Sequence, residues 1–316
     1  MRNLLLGALA LLISGCAPGF RYTDAPPLPF EEIDYGFPVQ TALTTPTLAY
    51  IDQGAGPETL LLVHGLAANA GFWRYNIPEL ARHYRVIAVD LPGYGKSSKA
   101  TWYPYSMSFY AASLARLVEE LELGPVTVVG HSMGGQIAMT MALRHPESVS
   151  RLVLAAPAGI EGFRPGEGEW LRNALTIQGI RTVPEDGIRR NLSLNFYDWS
   201  DEWEWMVEER ARMARADDFD QFAHAVVQSV GAMLDEPTTP FLERVTHPAV
   251  IIYGRYDHLI PNPYLHPGWA SAVFREGAER LPGATLVEIP DAGHMLMIER
   301  PEAFNTATLE WLQTAR

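Results

Sequence analysis

The stretch from Pro125 to Leu143 constrains the chain more than any other part of it. Residues 126–129 are an apolar, β-branched run of strand length, and after Gly135 the apolar residues Ile137, Ala138, Met141 and Ala142 recur at helical spacing. A strand must therefore turn directly into a helix. At the corner stands Gly130-His-Ser-Met-Gly134, a Gly-x-Ser-x-Gly pattern whose glycines allow a bend sharp enough to lift one hydroxyl over the sheet edge. Ser132 is the candidate nucleophile.

Strand-like and helix-like pieces alternate from residue 30 onwards. Residues 33–40 and 48–52 read as antiparallel opening strands and 59–63 as a fully buried one; a helical piece at 78–84 and a strand at 85–90 follow. A helix is predicted over 106–121, with Tyr110, Leu114, Leu117 and Leu121 on one face. Beyond the central strand, residues 149–155, 249–253 and 285–289 add three short buried strands, and 303–313 close with a helix. This order predicts an α/β fold with a mostly parallel eight-stranded sheet flanked by helices, built from residues 30–158 and 246–316. The alternation stops over 159–245, which lacks a clear buried strand and is rich in tryptophan and charge. That stretch is expected to form a helical cap, or lid, inserted after strand 6. Within it Ser200 is a helix N-cap, Trp199, Trp203, Met206 and Val207 share one face, and a second helix covers 219–233.

A serine hydroxyl needs a base to take its proton and a third group to hold that base. For this kind of turn the order is serine, then acid, then histidine. Asp257 follows the apolar run 249–253 and a glycine, at the carboxyl end of a strand, where ligands gather in open α/β sheets. His294 follows the last strand in another glycine-bearing loop. They are the candidate acid and base, with Asp291 as a rival acid; His258 is set aside because neighbours on an extended segment point in opposite directions. Acyl transfer also needs donors for an oxyanion. His64-Gly65-Leu66 ends a buried strand with a turn that can aim the Leu66 N–H inwards, and the Met133 N–H follows the nucleophile.

The trio needs neither a metal nor an organic cofactor. A net charge of −13 among 316 residues argues against a nucleic-acid partner, which would call for a basic stripe.

These motifs carry a resemblance. His64-Gly65, Asp90-Leu-Pro-Gly-Tyr-Gly-Lys-Ser-Ser98, Gly130-His-Ser-Met-Gly-Gly135, Gly254-Arg-Tyr-Asp257 and Ala292-Gly-His294 look like the α/β-hydrolase superfamily. The resemblance implies the α/β-hydrolase fold and a Ser132, Asp257, His294 triad. Epoxide hydrolases and dehalogenases of this family use an aspartate where this chain has Ser132. Gly130–Gly135 followed by Ala156-Pro-Ala-Gly159 looks most like the carboxylesterase and monoacylglycerol-lipase branches, which implies hydrolysis of short- to medium-chain or monoacylglycerol-like esters. Trp170, Leu171, Phe196, Trp203 and Phe222 are expected to shape the substrate pocket. The enzymatic alternatives are a carbon–carbon bond hydrolase or a proline-releasing aminopeptidase using the same triad, the latter with Glu202, Glu204, Glu208 or Glu209 holding a substrate amine. A non-enzymatic alternative is a lipid-anchored binding protein on an unused hydrolase fold.

The N-terminus reads separately. Arg2, an apolar run from Leu4 to Ile13 and small residues before Cys16 describe an export signal. Ile13-Ser-Gly-Cys16 resembles the bacterial lipobox, which implies a signal peptide over 1–16 and lipid attachment at Cys16, the one cysteine in the chain. Residues 17–29, proline-rich and aperiodic, are then the expected tether. Ala17 stands where an inner-membrane retention signal would have aspartate, so the expected address is the cell envelope, at an outer membrane if the source has one.

Overall fold

The computed structural model describes residues 21–315. The expected signal peptide, Cys16 and the first four residues of the tether lie outside that range.

Eight strands form one sheet: β1 (Val39–Ala42), β2 (Leu48–Gln53), β3 (Thr59–Val63), β4 (Arg85–Val89), β5 (Val126–His131), β6 (Val149–Ala155), β7 (Ala249–Gly254) and β8 (Thr285–Ile289). Their order is β1-β2-β4-β3-β5-β6-β7-β8, with β2 antiparallel to both its neighbours and all other pairs parallel. The α/β-hydrolase fold expected from the sequence is the fold observed. Every residue of β3, β5 and β7 is buried, which is why these strands read as unbroken apolar runs: helices cover both faces of a parallel sheet.

Helix α1 (Ile77–Leu80) is a single turn, shorter than the 78–84 piece expected. Helix α2 (Met107–Glu120) is capped by Ser106, whose side chain accepts the Phe109 N–H, and packs against α3 (Met133–Arg144), the helix that leaves the central strand. The first strand is also shorter than expected, because Gly36 takes a positive φ of 75° and Pro38 offers no N–H to a ladder; sheet pairing starts at Val39. Tyr35 is buried instead as a side chain, donating its hydroxyl to the Asp90 carboxylate at 2.7 Å.

Between β6 and β7 come α4 (Pro165–Ala174), α5 (Ile177–Arg181), α6 (Glu185–Ser193), α7 (Glu204–Met213) and α8 (Phe219–Asp235), with no strand among them. The chain ends with α9 (Ala270–Arg280), α10 (Leu296–Glu299) and α11 (Pro301–Thr314) around β7 and β8. Among the described residues no helix is long and apolar enough to cross a membrane.

One expectation needs correcting. The tether, from Arg21 on, is not a free linker but a strap fixed to the cap. The N–H groups of Arg21 and Tyr22 donate to the two oxygens of Glu185 on α6 at 3.0 and 2.9 Å, Leu28 N–H to the Arg212 carbonyl at 3.2 Å, and Phe30 N–H to Asp218 at 3.3 Å. Arg212 and Arg215 in turn donate to the carbonyls of Pro26, Thr23 and Tyr22. Prolines and lack of periodicity suggested a spacer, but they fit equally an extended segment bonded along its length to another element.

Candidate active site

Three loop ends meet at the carboxyl edge of the sheet. Val63 of β3 pairs with Gly130 of β5, and His131 pairs with Ala155 of β6, so the residues just past each strand are brought together. Ser132 sits at φ 52° and ψ −118°, a conformation that costs a residue with a Cβ about 1–3 kcal/mol. It is held from both sides: its N–H donates to the Ala155 carbonyl at 3.0 Å and its own carbonyl accepts the Ala158 N–H at 2.9 Å. The pattern glycines are required by close approach. A Cβ at Gly130 would lie 2.3 Å from the Gly134 oxygen, and one at Gly134 would lie 2.3 Å from the Val63 oxygen.

Asp257 and His294 come together because the loops after β7 and β8 are zipped to one another. Arg255 N–H donates to the Ile289 carbonyl at 3.0 Å and Tyr256 N–H to the Ala292 carbonyl at 2.9 Å. Both Asp257 and His294 are buried, and His294 Nδ1 lies 2.8 Å from Asp257 Oδ2. The other oxygen, Oδ1, accepts the N–H groups of Leu259 and Ile260 at 2.8 and 3.0 Å. A carboxylate whose remaining lone pairs are met by backbone donors can only turn its free edge to the imidazole. The rival Asp291 is exposed, as is His258. Ser132 and His294 line the same cavity; among the described residues no hydrogen bond yet links the hydroxyl to the imidazole, a contact that in unliganded sites often tightens only with substrate.

The two expected oxyanion donors are arranged by a neighbour. His64 is fully buried; its Nε2 accepts the Leu91 N–H at 3.1 Å, so the proton is on Nδ1, which donates to the Gly65 carbonyl at 2.8 Å. Burial lowers its pKa to about 4, keeping it neutral in this tautomer at any ordinary pH. The Gly65 carbonyl and Leu66 N–H belong to one trans peptide, so fixing the first fixes the opposite direction of the second. Leu66 N–H and Met133 N–H donate to no group among the described residues, and Met133 is the first residue of a helix, where an N–H has no partner within the helix. His131, whose pKa burial pushes well below the usual value, donates from Nε2 to the His294 carbonyl at 3.0 Å and so braces the His294 backbone.

Above this edge lies a cavity of about 730 Å³ between cap and core, mostly apolar, with Leu171, Ile180, Ile188 and Leu192 from the cap facing Ser132 and His294 below. Of the five residues expected to shape it, only Leu171 does. Phe196 and Trp203 stack on each other at 4.4 Å inside the cap, Phe222 packs against Phe30 and Tyr94, and Trp170 lies outside the cavity, 48% exposed, beside Tyr264. Phe196, Trp203 and Phe222 are packed into the interior instead, and the space is lined mostly by aliphatic residues with Phe72 and Phe163. None of Glu202, Glu204, Glu208 and Glu209 reaches the cavity. Glu204 is bound by Arg189 and Tyr22, Glu208 by Arg212, and Glu209 accepts from Asn69 at 2.6 Å, with burial raising its pKa to about 7.

Sequence reasoning passed over Arg210. Its guanidinium lines the cavity, donates to the Ala67 carbonyl next to Leu66, and lies over the Phe222 ring at 4.9 Å. Among the described residues no carboxylate is within ion-pair distance of it, and burial lowers its pKa to about 10. In the sequence it stands in Glu208-Glu-Arg-Ala-Arg212, which reads as a solvated helix face. Among the described residues no group of three His, Cys, Asp or Glu side chains could hold a metal ion.

Behind the cavity-lining Glu161, His266 ties the segment between β7 and α9 to the cap, with Nδ1 2.5 Å from Glu161 and Nε2 3.2 Å from Glu167. Hydrogen bonding to Glu161, then to Glu167, raises its pKa. A raised value means the clasp contributes fully below the ordinary histidine pKa of about 6.5 and is lost as pH rises through the higher folded value. The melting-temperature difference between wild type and His266→Gln is therefore expected to be largest at mildly acidic pH and to shrink above neutrality; a difference that grows with pH would contradict the assignment.

Comparison with known proteins places these features among relatives. A family model described as alpha/beta hydrolase fold matches residues 58–301. A 2-hydroxy-6-oxononadienedioate/2-hydroxy-6-oxononatrienedioate hydrolase from Burkholderia vietnamiensis is 31% identical over 275 residues, covering 84% of this chain and 90% of that one. A probable hydrolytic enzyme from Pseudomonas aeruginosa PAO1 superposes with a TM-score of 0.80 at 32% identity, over 91% of this chain and 99% of that one. A membrane phospholipase A described as a bacterial virulence factor gives 0.74 at 25% identity, over 89% and 87%. The chain spans 64% of the length of the dihydrolipoyllysine-residue acetyltransferase component of the acetoin cleaving system from Cupriavidus necator, at 30% identity over 81% of this chain.

Proposed function

The chain belongs to the α/β-hydrolase fold family, and from that premise we propose that it is a serine hydrolase that cleaves carboxylic esters through an acyl-enzyme on Ser132. The observation that carries this reading is the buried Asp257–His294 pair facing, across the floor of one apolar cavity, a serine held on a tight bend beside two unspent backbone N–H groups. His294 Nε2 takes the hydroxyl proton as Ser132 Oγ bonds to the ester carbonyl carbon. The carbonyl oxygen gains negative charge and is met by the Leu66 and Met133 N–H groups. The tetrahedral intermediate collapses, the C–O bond to the alcohol breaks, and imidazolium returns its proton to the leaving oxygen. Water then attacks the acyl-enzyme by the same route, releasing the acid and restoring Ser132. Asp257 keeps the proton on Nδ1 throughout.

The mostly apolar lining suits short- to medium-chain acyl groups or monoacylglycerol-like lipids, and attachment at Cys16 to an envelope membrane would keep the enzyme near such substrates. Hydrolysis of a nitrophenyl ester series from acetate to palmitate tests this: activity is expected to peak between butyrate and octanoate. A flat, slow series across all chain lengths would sink the ester reading.

Arg210 favours a second reading, a carbon–carbon bond hydrolase. An unpaired guanidinium in an apolar cavity is suited to a substrate carboxylate, and the Burkholderia relative is by its name a hydrolase of dioates. Turnover of a carboxylate-bearing vinylogous diketone, with no turnover of neutral esters, would select it.

A further inference from the structure

Glu299 is buried on α10, yet among the described residues no cation lies within ion-pair distance of it. Three backbone donors hold its carboxylate instead: Gly293 N–H at 2.7 Å and Tyr197 N–H at 3.1 Å on Oε2, and Asp198 N–H at 2.9 Å on Oε1. One of these belongs to the loop that carries His294. The other two belong to the cap, in the link between α6 and α7.

The contact around this carboxylate is close and continuous. Met295 N–H donates to the Asn195 carbonyl at 3.0 Å, so His294 has a cap-bound neighbour on each side. A Cβ at Gly293 would lie 2.7 Å from the Asn195 oxygen and 2.8 Å from the Phe196 carbonyl carbon, so the cap link rests directly on the histidine loop. Phe196 continues into the cap through its stack with Trp203. The backbone of His294 therefore shares its supports with the cap.

We infer that Glu299 is a positioning residue that couples the place of the cap to the place of His294. This rests on the reading of His294 as the base. A carboxylate suits the task because it only accepts, and here it meets only donors; a carboxamide would turn an NH2 group towards at least one N–H. A cap shifted by substrate entry would pull on residues 195–198, and through the carboxylate on Gly293.

Glu299→Gln tests this with two readouts. The rate at which a fluorophosphonate labels Ser132, which reads the serine–histidine pair without needing the natural substrate, is expected to fall on the order of tenfold to a hundredfold in folded protein. Hydrogen exchange is expected to rise together over residues 195–199 and 292–295. A variant that melts lower but labels within twofold of wild type would make Glu299 merely structural and overturn the inference. So would exchange that rises on one side only. A wild type that resists labelling would instead sink the serine reading, and the exchange arm would still decide the tie. If the variant does not fold, the wild type decides: the amides of Tyr197, Asp198 and Gly293 should share one protection factor to within threefold, and a spread beyond tenfold overturns the coupling.

Discussion

Ser132→Ala is expected to lower kcat for an ester substrate by about a million-fold, equivalent to about 8 kcal/mol of transition-state stabilisation. Removing the nucleophile leaves the oxyanion donors and the cavity, which by themselves retain only a small residual acceleration. Serine and alanine both carry a Cβ, so the strain at φ 52° is the same in the two proteins and the fold should be equally stable. The measurement is ester hydrolysis normalised to folded protein, with melting temperature as the control. A loss of less than tenfold would mean that the hydrolysis arises elsewhere.

Asp257→Asn is expected to cost about ten-thousand-fold in kcat, the scale seen when a triad imidazole is trapped in the wrong tautomer. The two carboxylate oxygens are not equivalent here. Oδ1 is fixed by the N–H groups of Leu259 and Ile260, which accept no substitute but an oxygen. The amide must therefore place its NH2 at the Oδ2 position, facing His294 Nδ1. Two donors would meet unless the imidazole moves its proton to Nε2, and an Nε2–H cannot accept the serine proton. A conservative exchange should thus do more harm than Asp257→Ala does to the tautomer alone. The two variants can be told apart by imidazole nitrogen chemical shifts: Nε2–H in Asp257→Asn, a mixture in Asp257→Ala. If Asp257→Asn keeps the wild-type tautomer, the carboxylate is not what sets it.

What could be read from the sequence was local. Strand, bend and helix around Ser132 lie within some twenty residues, and Asp257 and His294 each follow their own apolar run and glycine, so each could be placed on the sheet edge from its neighbours alone. The cap was readable as helices but not as a surface. Whether Trp203 or Phe222 faces the cavity or the cap's interior depends on helices that meet only after folding, and large aromatics went to the interior because they bury the most area there. Arg210 and Glu299 were hidden for the opposite reason. Arg210 sits in a charged run that looks solvated and Glu299 beside Arg300 at the end of a short apolar run, and contacts across more than a hundred residues of chain, Arg210 to Ala67 and Glu299 to Tyr197, help take them out of water. Glu185 is the same case: an ordinary first-turn acid of α6 by sequence, and the hook for Arg21 and Tyr22 in the fold.

That hook bears on how the protein can be handled. Choosing a start at residue 30, where the first regular element begins, would strip six backbone partners from α6, α7 and the turn after them. Ile188 and Leu192, one and two turns along α6 from Glu185, line the cavity. A recombinant version trimmed there would report a looser roof, and with it a chain-length preference that belongs to the trimming and not to the enzyme.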